Sequence, residues 1–282
     1  MKSARKKSPP RRKSAALRKA GSQPRAPQAK ADAVYLYCIT PRDGGNAVAA
    51  AGVDGRSGVE AVRCGSFWCW ISEVSRDEFA KRLTENMQNL EWLAAAGVRH
   101  QQVVAEIAGR GDVLPARFAT VFLTLDSLRD DVKRRNAELR RNLERVRGCD
   151  EWGVKIHAVA RIPAPQDAAR KNEESGRGYL QRKSVMLESA MRMRSKTDPA
   201  LEAFAQELSR LSRENVPAGA MSRGQPGVQW QHSYLIPRRN RSRLMQALER
   251  YSEKWDGVRR IECTGPWPPY SFVTAGEGPE TA

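Results

Sequence analysis

The residues of this 282-residue chain that could do chemistry are three histidines, five cysteines and 32 carboxylates. Their spacing builds no familiar catalytic or metal centre. His100, His157 and His232 lie far apart, and none sits in an HExxH setting. Each reads as an ordinary surface or satisfied strand histidine, not as a ligand or base. Cys64 and Cys69 are five positions apart, which is neither a zinc spacing nor a redox C-x-x-C, and Cys38, Cys149 and Cys263 are scattered. Small buried hydrophobes in a reducing cytoplasm is the simpler reading. The adjacent carboxylates Asp130-Asp131 and Glu173-Glu174 would point apart on a helix. Gly109-Arg110-Gly111 lacks the rest of a phosphate loop, and no G-x-S-x-G elbow occurs. The expectation is a protein that binds or assembles: no enzyme, no cofactor, no metal.

The most unusual stretch is Gly265-Pro266-Trp267-Pro268-Pro269-Tyr270-Ser271-Phe272-Val273. Its prolines fix φ and remove donors, so it is neither helix nor central strand. Trp267, Tyr270 and Phe272 would each strand ~150–250 Å² of ring surface unless docked. The segment follows the last expected strand without a flexible linker. It therefore reads as a clasp returning to the first half, against Val113–Phe122, with all three rings largely buried by residues numbered below 150. In Val113–Phe122 itself, Arg117 sits among apolar neighbours and reads as a structural arginine rather than a functional one.

The elements that must position these residues follow from periodicity. Val34–Ile39, Val59–Arg63 and Phe67–Ile71 read as strands. Ser75 and Glu78 suggest a capping box. Behind it Phe79, Leu83, Met87, Leu90, Leu93, Val104 and Ile107 fall at helical spacing up to Gly109, with a break at Gly97. Val113–Phe122 is β-prone, with Pro115 marking an edge or bend. A helix capped at Ser127 runs to Gly148, with its arginines forming a solvated face partnered by Asp131, Glu138 and Glu144. The second half opens with a strand at Glu151–Val159, then a helix over 176–194 carrying Tyr179. Asp198-Pro199 starts another helix with Leu201, Phe204, Leu208 and Leu211 on one face. Val228–Tyr234 alternates as a half-covered strand. Asn240 caps a last helix, and Val258–Thr264 is a last strand. The order predicts an α+β protein in two domains, 33–150 and 151–264, followed by a tail at 265–282 that packs on the first. The second domain is close to a ferredoxin-like split βαβ layout, with one strand missing or hidden in the 216–230 loop.

Charge is uneven. Eleven of the 49 Lys and Arg residues fall in residues 1–30, which hold no Asp or Glu. Residues 1–32 hold few large apolar side chains and read as a disordered basic tail. A nucleic acid or anionic surface could contact that tail alone. No apolar run follows it as in a secretory signal, and no stretch is long and apolar enough for a spanning helix.

Several stretches, in order, resemble the GvpL/GvpF family of gas vesicle proteins. They are Val34-Tyr35-Leu36-Tyr37, Ser72-Glu73-Val74, Glu91-Trp92-Leu93, His100, Val113–Phe122, Glu151-Trp152-Gly153-Val154-Lys155, Ser175–Leu180 and the Gly265–Val273 segment. The resemblance spans about residues 33–273. It implies a non-enzymatic accessory protein, found with gas vesicles in the cytoplasm. Its implied partners are the small apolar shell protein and other gas vesicle accessory proteins, bound during nucleation in a way that limits shell-protein aggregation. The alternative is a nucleic-acid-binding protein acting through its basic tail. The family-motif residues carried over, as structural or partner-binding positions, are Trp92, Leu114, Pro115, Arg117, Phe118, Trp152, Gly153, Tyr179, Trp267, Pro268, Tyr270 and Phe272. Two departures stand out. Cys38 and Ala119 occupy positions where glycine is usual, so a positive φ at residue 119 would not be reached at low energy.

Overall fold

The computed structural model describes residues 33–43, 45, 48–159, 198–217 and 227–273. The basic tail and the expected 176–194 helix with Tyr179 lie outside the described residues. What is described is a mixed helix-and-sheet fold with two antiparallel sheets.

The first sheet grows around β1 (Ala33–Thr40), all of whose residues are buried. β2 (Glu60–Cys64) and β3 (Phe67–Val74) form a hairpin, and β3 pairs with β1. On the other side β1 pairs with two short strands, β4 (Leu114–Pro115) and β5 (Val121–Phe122). A register shift between Leu36 and Cys38 marks a bulge. It lets Tyr35, Tyr37 and Cys38 share one core while Val34, Leu36 and Ile39 face another. β1 has apolar side chains on both faces because both faces are covered.

The first core lies under α2 (Leu90–Ala108), while α1 (Leu83–Gln88), just before it, buries no residue. The Ser75 cap is only half made. Ser75 Oγ accepts from the Glu78 amide at 3.4 Å. The Glu78 carboxylate does not return the bond. It accepts instead from Trp92 Nε1 at 2.9 Å and Arg56 Nη2 at 3.1 Å, and a π-helical turn, Asp77–Lys81, replaces the expected α-helical start. The helix break falls at Asn89, not at Gly97. Asn89 is extended, and its side chain accepts from the Glu91 and Trp92 amides, which restarts the helix. Gly97 stays helical. Met87 and Leu90 are exposed and outside the stripe expected of them.

The opposite face of the first sheet packs on α3 (Leu125–Arg134) and α4 (Asn136–Val146). Thr124, not Ser127, is the N-cap. Ser127 is the third helical residue, and the two residues bond reciprocally. The arginines of these helices are largely paired: Arg134 and Arg135 on Asp131, Arg135 on Glu138, Arg147 on Glu144. Gly148, at φ +65°, turns the chain out of α4.

The second sheet is β7 (Glu214–Pro217), β8 (Val228–Pro237), β6 (Cys149–Ala158) and β9 (Arg259–Trp267), in that spatial order and all antiparallel. The extra strand is β7, just ahead of the Gly/Pro-rich loop. α5 (Pro199–Leu211) has Asp198 as N-cap and Pro199 at its first position, as the sequence indicates. α6 (Arg241–Lys254) follows β8. Asn240 precedes it but does not cap it, because its amide donates to the Leu211 carbonyl at 2.8 Å. Both helices cover one face of the sheet, burying Trp152, Val154, Ile156, Phe204, Leu208, Tyr234 and Leu244. Leu235 points the other way, into the core beneath α3 and α4. That is why the end of β8 is buried on both faces instead of alternating. The two sheets thus share one apolar core, reinforced by Arg145–Glu214 and by Arg238, which reaches Asp112 and Asp150 at 3.1 and 3.0 Å.

Candidate functional site at the C-terminal segment

The chain between β4 and β5 meets the C-terminal segment beside the first sheet, and most sequence-predicted residues gather there. β9 runs to Trp267 on the edge of its sheet, where prolines do not interrupt a ladder. The Gly265–Pro266 peptide is cis. Gly265 sits at φ +135°, and a Cβ there would lie 2.8 Å from the Glu151 carbonyl oxygen and 3.0 Å from the Trp152 ring. Only glycine fits so close an approach. Pro268 and Pro269 are buried, and Tyr270–Phe272 forms one 3-10 turn.

Glu151 anchors that turn. It is 8% exposed, and its two oxygens accept from the Ser271 amide at 2.8 Å and the Ser271 hydroxyl at 2.6 Å. Phe272 is 1% exposed, inside the core shared by both sheets. Tyr270 is half-buried against α2, and its hydroxyl meets His100 Nε2 at 3.1 Å. Trp267 departs from the expectation: it is 44% exposed. Its place in an edge strand, ahead of the turn, leaves one side of the ring in solvent.

His100 joins three elements. Nδ1 lies 2.9 Å from the Tyr35 hydroxyl, and the Ala119 amide donates to that same hydroxyl at 3.0 Å. The Tyr35 hydroxyl therefore links the Ala119 amide to Nδ1, while Nε2 meets the Tyr270 hydroxyl. Burial pushes the imidazole pKa down to about 4, against an opposing pull from the Ala116 carbonyl. Burial also raises the Tyr35 and Tyr270 hydroxyls and lifts Tyr37 to about 12. The cluster is uncharged near neutral pH, and it ties β1, α2, the β4–β5 connection and the C-terminal segment together. Phe118 closes it, with ring centroids 5.8 Å from His100 and 6.2 Å from Trp92.

Leu114 and Pro115 are buried beside a cavity of about 160 Å³ that Tyr270 and Val273 also line. Arg117 stands at this cavity but is exposed, so it is not a buried structural arginine. Ala119 has φ +67°, the left-handed conformation that its side chain disfavours, and the hydrogen bond that its N–H donates to the Tyr35 hydroxyl holds it there. Trp152 and Gly153 stay on the second sheet. Trp152 packs under Arg241, 5.6 Å above its ring, and a Cβ on Gly153 would press to 2.9 Å from Thr264 Oγ1. Tyr179 lies outside the described residues. Sequence reasoning undervalued His100 and Glu151. Both sit within the quoted family stretches, but only their partners, 170 and 120 positions away, reveal what they do. Among the described residues, no group of His, Cys, Asp or Glu side chains converges to hold a metal, the cysteines are free, and no helix is long and apolar enough to cross a membrane.

The chain is 31% identical over 252 residues to gas vesicle protein L of Streptomyces sp. (strain CB03234), covering 86% of this chain and 93% of that protein. It is 29% identical to gas vesicle protein L2 of Halobacterium salinarum, covering 86% and 91%. The fold matches the crystal structure of the gas vesicle protein GvpF from Anabaena sp. PCC7120 with a TM-score of 0.64 at 20% identity, over 87% of this chain and 98% of that one. The family model described as gas vesicle synthesis protein GvpL/GvpF matches residues 33–274, and the chain belongs to that family.

Proposed function

We propose that this chain is a non-enzymatic accessory protein of gas vesicles. In this reading it binds the small apolar shell protein and other accessory proteins during nucleation and keeps the shell protein from aggregating. Family membership across residues 33–274 is the observation that carries the reading. The uncharged, tightly bonded site around His100 supports a structural use of the motif residues over a catalytic one. A shell monomer must expose apolar surface before it assembles, and such surface aggregates unless covered. The outer face of α1 and α2 offers Met87, Leu90 and Val98 at 42%, 78% and 56% exposure, surface of the kind such a partner needs.

The division into an N-terminal domain (33–150), a second domain (151–264) and a tail (265–282), behind the basic stretch at 1–32, belongs to the same proposal. The β6-α5-β7-β8-α6-β9 order, with strands arranged β7-β8-β6-β9, supports a ferredoxin-like second domain. Pull-down with purified shell protein, together with light scattering of that protein with and without this chain, tests the function. Binding with suppressed scattering is expected, and Leu90→Asp should weaken it. Absence of both binding and suppression would overturn the proposal.

A further inference from the structure

The cavity between the β4–β5 connection, α4 and the C-terminal segment has a volume of about 160 Å³. Leu36, Leu114, Phe122, Leu139 and Val273 form its apolar side, and Arg117, Thr120, Asp131, Arg135 and Asn142 line a polar side of similar extent. A volume of about 150 Å³ is enough for one benzene ring, so the apolar side has room for a single ring. Its polar side is electrostatically lopsided. Asp131 is matched by Arg134 and Arg135, and Arg135 is matched again by Glu138. Arg117 is different. It is an exposed residue, and its guanidinium has no hydrogen-bond or ion-pair partner among the described residues. The loop that carries it is held in an unfavourable backbone state at Ala119, and strain of that kind gathers at ligand-binding sites.

We infer that this cavity binds a ring-sized apolar group bearing a nearby carboxylate, with the ring among Leu114, Phe122 and Leu139 and the carboxylate on Arg117. The planar guanidinium fork suits a carboxylate, and the apolar walls favour an uncharged ring. The same chemistry is carried by a free arylalkanoic acid and by an aromatic residue beside an acidic one in a partner chain. The inference concerns this cavity and does not depend on shell-protein binding.

The test titrates the full chain with 3-phenylpropionate, 3-phenyl-1-propanol and a capped Phe-Glu dipeptide, following the leucine methyl signals of Leu114 and Leu139 by NMR. Phenylpropionate should shift both signals saturably. Arg117→Gln should weaken its binding about fivefold, the scale of one exposed ion pair, and leave the alcohol's unchanged. Arg117→Lys should restore part of the loss. Ala116→Ile, which fills the cavity, should abolish binding of both. Tighter binding of the dipeptide than of the free acid assigns the site to a partner's side chain, and the reverse assigns it to a small acid. No saturable shift with any probe, or shifts unaffected by Arg117→Gln and Ala116→Ile, would overturn the inference.

Discussion

Replacing Phe272 with alanine separates the core of the C-terminal segment from its rim. Phe272 is 1% exposed in the core that both sheets share, whereas Trp267 is 44% exposed five residues earlier. Removing a fully buried phenyl ring loses about 2 kcal/mol of transfer free energy. A residual cavity of roughly 100 Å³, at about 24 cal/mol per Å³, adds about 2 more. Phe272→Ala should therefore cost about 3–5 kcal/mol. Trp267→Ala should cost about 1–2, since much of its ring never leaves water. Urea unfolding followed by far-UV circular dichroism gives both values without relying on tryptophan fluorescence. For a chain of this size the larger loss corresponds to a fall in Tm of about 2–4 °C per kcal/mol. Both sheets should unfold in one transition, because Phe272 and Leu235 bury into the same cluster as Leu36 and Leu139. Trp267→Ala proving as costly as Phe272→Ala would refute the reasoning, as would a cost for Phe272→Ala below about 1 kcal/mol.

The remaining predictions concern the ties around that segment. His100 has a folded pKa depressed to about 4 from 6.5, so its stabilising contribution is complete above pH 6.5 and is lost as pH falls toward 4. Wild type should lose about 2 kcal/mol more than His100→Gln between pH 8 and pH 5, and a pH-independent difference in urea midpoints would count against this. Ala119→Gly should stabilise by about 0.5–1 kcal/mol, relief of the left-handed conformation outweighing the added unfolded-state entropy, while Ala119→Val should destabilise. Thermal melts of the two variants moving in the same direction would contradict it. Glu151→Ala should cost about 1–3 kcal/mol, because it strips the acceptor from the buried-side Ser271 amide, and Ser271→Ala should cost less, because that amide bond survives. Equal costs would show the backbone contact to be unimportant.

Much of the framework is legible locally. Asp198-Pro199 starts α5 because an acceptor side chain and a fixed φ act on the next few amides alone. Gly148 ends α4 because only its own φ is in question. β1 announces itself through an unbroken apolar run that only a strand covered on both faces can satisfy. Where the sequence misleads, a distant partner competes for a local signal. Glu78 looks like a capping residue, but Trp92 and Arg56 take its carboxylate. Asn240 looks like a cap, but Leu211 takes its amide.

The aromatic, proline-rich end divides along the same line. Its composition alone required a docked, extended segment, because rings without a surface are costly in water and prolines forbid a helix. Which ring docks was beyond composition. That depends on the edge position of β9, on Glu151 catching Ser271, and on His100 standing between Tyr35 and Tyr270. Ala119 shows the limit most clearly. Its residue type argues against a positive φ, yet a hydrogen bond to a tyrosine 84 positions away holds one there. Local preference amounts to about 1–2 kcal/mol at such a position, and contacts made only in the assembled fold exceed it.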